Sequence, residues 1–258
     1  MNTRFRLLHE SGTFVMPNPW DAGSARILEG LGFAALATTS SGLAAALGKA
    51  DQQVTRDELV AHVDVLTRAI NIPLNVDAER CFDDVAETVE LLAAAGAAGV
   101  SIEDYDPASS KIETLEAGAQ RVATAKEACA RHGVVLTARA ENLLYGHDDL
   151  DDTIRRLRAY REAGADVVYA PGLREPGHIA RVVAEVDAPV NVLAVAGAPP
   201  VSELAKLGVR RVSTGGALAW AAYGALRDAA RELLDQGTTT FRSRSLTSDE
   251  IEAIADRG

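Results

Sequence analysis

The sequence predicts an α/β chain folded as a single (β/α)8 barrel of the TIM type with a short C-terminal helical tail. Three observations carry that expectation. Short β-rich runs alternate with longer amphipathic runs eight times along 258 residues. Several of the amphipathic runs end in a glycine directly before the next strand, as in Leu31-Gly32-Phe33, Ala95-Gly96-Ala97, His132-Gly133-Val134, Ala163-Gly164-Ala165 and Leu207-Gly208-Val209, where glycine accepts the left-handed position that closes a helix. The first turn reads Pro17-Asn18-Pro19-Trp20-Asp21. It carries no G-x-G-x-x-G, and no G-x-x-x-x-G-K-[ST] occurs elsewhere, which disfavours a doubly wound nucleotide-binding sheet.

The units follow in order. The first pairs a strand at Thr13–Met16 with a helix at Ala22–Leu31. The second pairs Phe33–Thr38 with Arg56–Ala69, whose start is marked by Thr55 and Glu58 as a capping box. The third and fourth pair Pro73–Val76 with Asp84–Ala95 and Gly99–Ile102 with Leu115–Arg131. The fifth and sixth pair Val134–Ala138 with Leu150–Ala163 and Asp166–Tyr169 with Gly177–Val186. The last two pair Pro189–Leu193 with Val201–Leu207 and Arg210–Ser213 with Leu218–Gln236. Residues 1–237 therefore form one barrel domain, and 238–258 a tail in which Thr247 and Glu250 announce a final short helix.

Composition narrows the function classes. Asp and Glu number 37 against 26 Lys and Arg, a net charge of −11. That sign disfavours a phosphate-tracking nucleic-acid partner and an anionic membrane surface. The longest apolar run, Leu91–Val100, has ten residues and two glycines, against about 20 for a membrane span. Residues 1–11 carry charges where the apolar part of a secretory signal would lie. Two cysteines, Cys81 and Cys129, cannot build a disulfide scaffold or a four-cysteine zinc site. A cytoplasmic protein is expected.

In a barrel the reactive groups sit at the C-terminal ends of strands and in the loops beyond. Those positions carry Asn18 and Trp20, then Ser40, Ser41, Gly42 and Asp51, then Asp77 and Glu79, then Glu103 and Asp104. Further along come Arg139, Glu141 and Asn142, then Tyr169, Asn191 and Thr214-Gly215-Gly216. Any one carboxylate there could equally be a helix cap or a solvated loop charge. Asp77 and Glu103 on neighbouring strands would crowd one small volume, and such a pair calls for a neutralising cation. All-oxygen donors suit Mg²⁺ or Mn²⁺. The expected metal set is Asp77, with Glu79, Glu103 and Asp51 acting directly or through water. Arg139 can clamp a substrate carboxylate bidentately. The backbone N–H groups of Ser41 and Gly42 can take another anionic group.

The pieces Pro19-Trp20-Asp21-Ala22-Gly23-Ser24-Ala25-Arg26, Thr39-Ser40-Ser41-Gly42, Leu47-Gly48-Lys49-Ala50-Asp51, Val76-Asp77-Ala78-Glu79, Gly99-Val100-Ser101-Ile102-Glu103-Asp104 and Ala138-Arg139-Ala140-Glu141-Asn142 resemble the isocitrate lyase and phosphoenolpyruvate mutase superfamily. The resemblance runs from about Phe14 to Gly237 and is similar to a shorter branch that includes carboxyphosphonoenolpyruvate phosphonomutase. It implies a (β/α)8 barrel and a Mg²⁺-dependent enzyme acting on a small 2-oxo or 2-hydroxy carboxylate. It also implies a homo-oligomer, with a C-terminal helix packed on a neighbour. By the same resemblance Asp77 is the direct metal ligand, and Asp51, Glu79 and Glu103 are the outer carboxylates. Arg139 is the substrate clamp, Ser41 and Gly42 the carboxylate-holding loop, and Trp20 an aromatic wall.

Isocitrate and methylisocitrate lyases carry a K-[KR]-C-G-H loop after the fourth strand. Here the loop is Tyr105-Asp106-Pro107-Ala108-Ser109-Ser110-Lys111, with neither Cys nor His. The expected reaction is therefore C–C cleavage by decarboxylation or a retro-aldol or Claisen route through a metal-stabilised enolate. Arg139, Glu103 and Asp51 are the catalytic candidates, and Trp20, Ser41, Gly42, Asp77, Arg139 and Asn191 the substrate-binding ones. C–P chemistry of the mutase or phosphonopyruvate hydrolase kind is the alternative, and a non-catalytic metabolite-binding barrel a third reading. The family has glycines where this chain has Arg80-Cys81-Phe82-Asp83. Cys81 is either a space-filling side chain or a replacement acid, and Lys111 a weak echo of the mutase's gating lysine. Tyr145 either covers the substrate or is an ordinary loop residue. The five histidines form no ligand spacing, and His62 and His132 are expected on helix surfaces. Asp148–Asp152 with Arg155, Arg156 and Arg158 reads as a solvated helix start.

Overall fold

Strand and helix alternate as their sequence patterns require. The computed structural model describes residues 1–255 and runs α1 (Asn2–Leu7), β1 (Phe14–Met16), α2 (Ala22–Gly30), β2 (Leu36–Ala37), α3 (Ser40–Ala46) and α4 (Arg56–Ala69). Next come β3 (Leu74–Asp77), α5 (Val85–Ala94), β4 (Gly99–Glu103), β5 (Tyr105–Asp106), β6 (Lys111–Ile112) and α6 (Leu115–His132). The remainder is β7 (Val135–Arg139), α7 (Leu150–Glu162), β8 (Val167–Tyr169), α8 (Pro176–Val186), β9 (Val190–Leu193), α9 (Val201–Lys206), β10 (Arg211–Ser213), α10 (Ala217–Gln236) and α11 (Ser248–Ala255).

Eight strands pair in parallel in the order β1-β10-β9-β8-β7-β4-β3-β2. The two end strands approach each other. Ala37 N donates to Pro17 O at 3.1 Å, and Asn18 Nδ2 donates to Thr38 O at 2.7 Å. The sheet is thus nearly closed as a barrel with helices around it. The five helix-ending glycines named above all have φ between 66° and 109°. Thr55 with Glu58 and Thr247 with Glu250 make the reciprocal capping bonds their spacing announces. Asp21, Asp84 and Asp149 cap α2, α5 and α7, which separates them from the carboxylates at the strand ends. The final three residues of the expected tail lie outside the described residues.

Two helices and a hairpin were not foreseen. Residues 40–46, expected as loop, form α3, because Thr39 Oγ1 accepts from Gly42 N and the following Leu-Ala-Ala-Ala run favours helix. Tyr105–Asp106 and Lys111–Ile112 pair as an antiparallel hairpin. Helix α1 closes the N-terminal end of the barrel. Its Phe5 is fully buried against Met16, Ala35, Ala37, Ala98, Val135 and Val167. Gly99 makes that seat possible, since a Cβ there would stand 2.5 Å from Phe5 Cε1.

The main apolar core lies between the sheet and its outer helices. The barrel interior above Phe5 is instead polar. Asn75, Ser101, Thr137, Asn191, Arg211 and Ser213 are all buried there, where a packed barrel would place bulky branched side chains. Strand register explains the placement of the key groups. Glu103, Arg139, Tyr169, Asn191 and Arg211 are successive Cα partners across β4, β7, β8, β9 and β10. Pleating puts this row on one face, and strand stagger carries it from the C-terminal rim at Glu103 to the start of β10 at Arg211. Among the described residues no helix is long and apolar enough to cross a membrane.

Candidate active site

A cavity of about 180 Å³ opens at the C-terminal end of the barrel. Of the sequence-predicted residues, Ser41, Asp51, Asp77, Arg139 and Asn191 line it. Glu79 and Glu103 stand just behind, the latter bonded to Arg139. Trp20 and Gly42 do not line the cavity. Gly42 is buried beneath Trp20, where a Cβ would lie 2.5 Å from Thr39 Cγ2 and 3.2 Å from Trp20 Cβ. Its role here is close packing of α3 on the loop after β1.

Arg139 is the hub. Its Nη1 donates to Asp77 Oδ1 at 2.7 Å, its Nε to Glu141 Oε1 at 2.7 Å, and its Nη2 reaches Glu103 Oε2 at 3.1 Å. Burial opposes its charge, but Glu141, Glu103 and Asp77 outweigh that and hold it firmly protonated. The sequence offered this guanidinium as a clamp for substrate. Its donors hold three carboxylates, and Tyr169 lies beneath it with the ring centroid 5.4 Å from Cζ.

The carboxylates outnumber that single cation. Burial pushes Glu103 and Glu141 above the usual carboxylate range, while Arg139 draws both down. Glu79 is raised to about 8 by burial and by the neighbouring Asp77 and Asp51. Its Oε1 is buried without a hydrogen-bond partner. Asp51, on the exposed loop after α3, is raised by desolvation and by Asp77. Asp77 Oδ2 accepts from Ser40 N at 3.1 Å, and Gln52 Nε2 donates to Glu103 Oε1 at 3.1 Å. Acidic oxygens that repel one another, one of them orphaned, form a donor set suited to a hard divalent cation that keeps part of its water shell. Among the described residues no three His, Cys, Asp or Glu side chains already converge as a complete metal cage. The fit is therefore that of a water-rich site centred on Asp77 and not a closed protein cage.

The loop after β3 keeps a glycine-like backbone without glycines. Glu79, Cys81 and Phe82 have φ of 51°, 66° and 57°, each costing roughly 1–2 kcal/mol for an L-residue. This turn carries Glu79 under Asp77. Cys81 does not face the cavity. It is fully buried in the outer core, with its thiol pushed up to about 12 by burial. That environment suits the space-filling reading and removes it as a replacement acid. Lys111 lies on the hairpin beside a separate groove with Arg155 and Arg156.

Several residues take roles that the sequence did not specify. Asp104 is buried behind Glu141. It accepts from Tyr160 Oη at 2.6 Å, Arg156 Nη1 at 3.1 Å and Glu141 N at 2.8 Å. Arg156 was read as part of a solvated face, yet it reaches inward because Asp104 is a desolvated charge in need of donors. Asp151 pairs with Arg181 at 2.6 Å, and Arg155 with Asp152. His62 is half-buried on α4 and not a surface residue, and desolvation draws its ring down to about 4. His132 is exposed as expected. Tyr145 stacks on Tyr105 of the hairpin, with centroids 3.7 Å apart and planes 10° from parallel. Arg211, the buried arginine inside the barrel, carried no sequence signal beyond its place near the start of a strand.

Comparison with known proteins agrees with this geometry. The family model for phosphoenolpyruvate phosphomutase matches residues 5–234. The chain is 31% identical over 247 residues to an oxaloacetate decarboxylase of Bradyrhizobium sp. (strain ORS 278), covering 90% of this chain and 84% of that one. A Burkholderia cenocepacia J2315 structure, described only as a lyase or mutase, superposes with a TM-score of 0.94 at 47% identity, covering 97% and 94% of the two chains. Oxaloacetate acetylhydrolase with its product oxalate superposes with a TM-score of 0.88 at 27% identity, covering 98% and 93%. Phosphonopyruvate hydrolase with oxalate and Mg²⁺ shares the fold, with a TM-score of 0.88 at 23% identity and coverage of 99% and 94%.

Proposed function

The chain belongs to the phosphoenolpyruvate phosphomutase family, and from that membership we propose that it is a Mg²⁺-dependent carbon–carbon lyase acting on a small 2-oxo or 2-hydroxy carboxylate. The observation that carries this reading is the meeting of Asp77 and Arg139 in one cavity, with the orphaned Glu79 oxygen behind them. Asp77, Glu79, Glu103 and Asp51 would hold the cation, Mg²⁺ or Mn²⁺. When bound, it supplies Lewis-acid stabilisation of negative charge developing on the substrate.

The residues of the chain do the remainder. Arg139 is kept protonated and receives the substrate's carboxylate on its donors, in exchange for Asp77. Breaking the bond beyond the α-carbon releases carbon dioxide or a carbonyl fragment and leaves its electron pair as an enolate. Arg139 faces the oxygen where that charge gathers, and a proton then returns to carbon. Glu103 and Glu141 fix the guanidinium from below. Asp51 is the carboxylate placed to exchange protons with solvent at the cavity mouth. Ser41 and the first turn of α3 border the carboxylate end, and Asn191 orders the floor. A loop without Cys or His between β4 and α6 favours decarboxylation or a related cleavage over the isocitrate reaction.

The test is oxalate, a mimic of the enolate. Calorimetry is expected to show Mg²⁺-dependent oxalate binding that Asp77→Ala abolishes, together with consumption of oxaloacetate. Unchanged oxalate binding in Asp77→Ala overturns the metal assignment. The family match keeps C–P cleavage as the second reading, decided by supplying phosphonopyruvate in the same assay. Binding without turnover of either substrate would make the barrel a metabolite-binding protein.

We propose a homo-oligomer as well. Helix α10 has twenty residues, of which Ala219 is buried, and it exposes Trp220, Leu226, Leu233 and Leu234. A helix of that length with large apolar side chains left uncovered suits a second copy of the chain. The buried, unpaired Cys81 and Cys129 fit a reducing cytoplasm.

A further inference from the structure

The barrel lines one cavity with two arginines, and they are in opposite electrostatic states. Arg139 is surrounded by carboxylates. Arg211, with 1% of its surface exposed, has none within ion-pairing distance among the described residues. Its partners are neutral. Nε donates to Asn191 Oδ1 at 2.9 Å, Nη2 donates to Thr137 Oγ1 at 3.0 Å, and Nη1 lies 3.4 Å from His9 Nε2.

His9 is held in the form that accepts. Its Nδ1 stands 2.9 Å from Phe5 O, an acceptor, so the ring proton belongs on Nδ1 and the lone pair on Nε2 faces Arg211. Burial, reinforced by the arginine's charge, draws the ring down to about 3, so it stays neutral. A guanidinium has five N–H groups. Its three partners take one on each nitrogen and leave one on each terminal nitrogen. Arg211 lines the cavity that also contains Asp77 and Arg139.

An enclosed cation without a counter-ion is costly, and a barrel interior can avoid one with an apolar residue. What it provides here is a fixed, desolvated fork inside the substrate cavity, suited to a planar anion. Asn191 on β9, Thr137 on β7 and His9 in the turn after α1 brace it.

We propose that Arg211, braced by Asn191, Thr137 and His9, is an anion subsite at the cavity floor that selects substrates with a second carboxylate. A 2-oxo dicarboxylate such as oxaloacetate would then set one carboxylate at Arg139 and the other at Arg211. This rests on the reading of the mouth as a Mg²⁺ and carboxylate site, and adds to it the means by which monocarboxylates are rejected.

The probes are oxalate, 3,3-difluorooxaloacetate and its monocarboxylate counterpart 3,3-difluoro-2-oxobutyrate, titrated calorimetrically with Mg²⁺. The intact protein is expected to bind the dicarboxylate at least about 30-fold more tightly than the monocarboxylate, the scale of losing a buried charged partner. Arg211→Gln is expected to bring the two within about threefold while oxalate affinity stays unchanged, and Arg211→Lys to keep part of the preference. Equal binding of the two difluoro acids by the intact protein overturns the proposal even if no variant folds. So does an Arg211→Gln protein that melts lower yet keeps the preference, which would make Arg211 purely structural. Failure of oxalate to bind the intact protein defeats the reading of the mouth instead, and is seen separately.

Discussion

Arg139 Nη1 donates to Asp77 Oδ1 at 2.7 Å across the intervening strand β4, joining the ends of β7 and β3 over the cavity. The same guanidinium holds Glu103 and Glu141, so a single cation compensates a cluster of buried acids. Removing one partner of such a set leaves charge stranded in low dielectric. Arg139→Met is expected to lower stability by about 3–5 kcal/mol. For a chain of this size that is a fall in Tm of roughly 10 °C. Added Mg²⁺ is expected to restore part of the loss by replacing the missing charge. Thermal unfolding of the variant with and without Mg²⁺ checks both; an unaltered Tm would show that the carboxylates are neutral without Arg139.

Behind this cluster, Tyr160 donates to Asp104 at 2.6 Å and Asp104 fixes the backbone N–H of Glu141. Tyr160→Phe removes one donor from a buried carboxylate and leaves Arg156 and the amide to satisfy it. The expected cost is about 1–3 kcal/mol, read as a lower urea midpoint with an unchanged slope. A stability equal to the parent's would mean that Arg156 alone suffices.

The register of the parallel strands explains what the sequence could and could not disclose. Glycine-terminated helices and alternating strands define the barrel from composition and period alone, and Asp77, Glu103 and Arg139 stand out because they are charged at strand ends. Tyr169 and Arg211 belong to the same row of partners. Tyr169 was legible as a strand-end residue, but Arg211 was not, because an arginine at the start of a strand commonly faces solvent and only the stagger between strands turns it inward. Helix α3 was hidden for a related reason: Thr39 looks like one more strand residue until its hydroxyl caps Gly42. Cys81 was open to two readings, and its left-handed backbone turns the side chain into the outer core, where it fills space.

The seat of α1 depends on a missing methyl group. A Cβ at Gly99 would lie 2.5 Å from Phe5 Cε1 and 2.6 Å from Asn75 Oδ1. Gly99→Ala is expected to expel Phe5 and cost at least about 1–3 kcal/mol through overpacking. Phe5→Ala in the same chain should recover part of that loss by opening space. Comparing denaturation of the single and double variants measures the coupling; strictly additive losses would show that the two sites do not meet in solution.

His9 makes stability fall in acid. Burial and the charge of Arg211 draw its folded ring down to about 3 from the usual imidazole value of 6.5, so the unfolded chain takes up the proton first. The contribution is complete above about pH 6.5 and is lost as the pH falls toward 3, with a limiting slope of about 1.4 kcal/mol per pH unit. His62, drawn down to about 4, acts in the same direction. His9→Gln keeps an acceptor for Arg211 and removes the titration. Its urea stability is expected to decline less steeply than the parent's between pH 6.5 and 4.5, and parallel profiles would show that His9 is protonated in the folded protein.

Helix α10 should report on assembly without touching the cavity. Its exposed Leu226 and Leu234 lie away from the residues that line the site. Burying an exposed leucine against a second copy would contribute about 1.5–3 kcal/mol per side chain, and an aspartate in its place would bring an unpaired charge into the contact. Leu226→Asp with Leu234→Asp is therefore expected to reduce the mass measured by light scattering to that of one chain. Oxalate binding should survive, because Asp77, Arg139 and Glu79 all come from one barrel. A parent protein that already runs as one chain would remove the reason for the exposed face, and a variant that stays assembled would move the contact elsewhere.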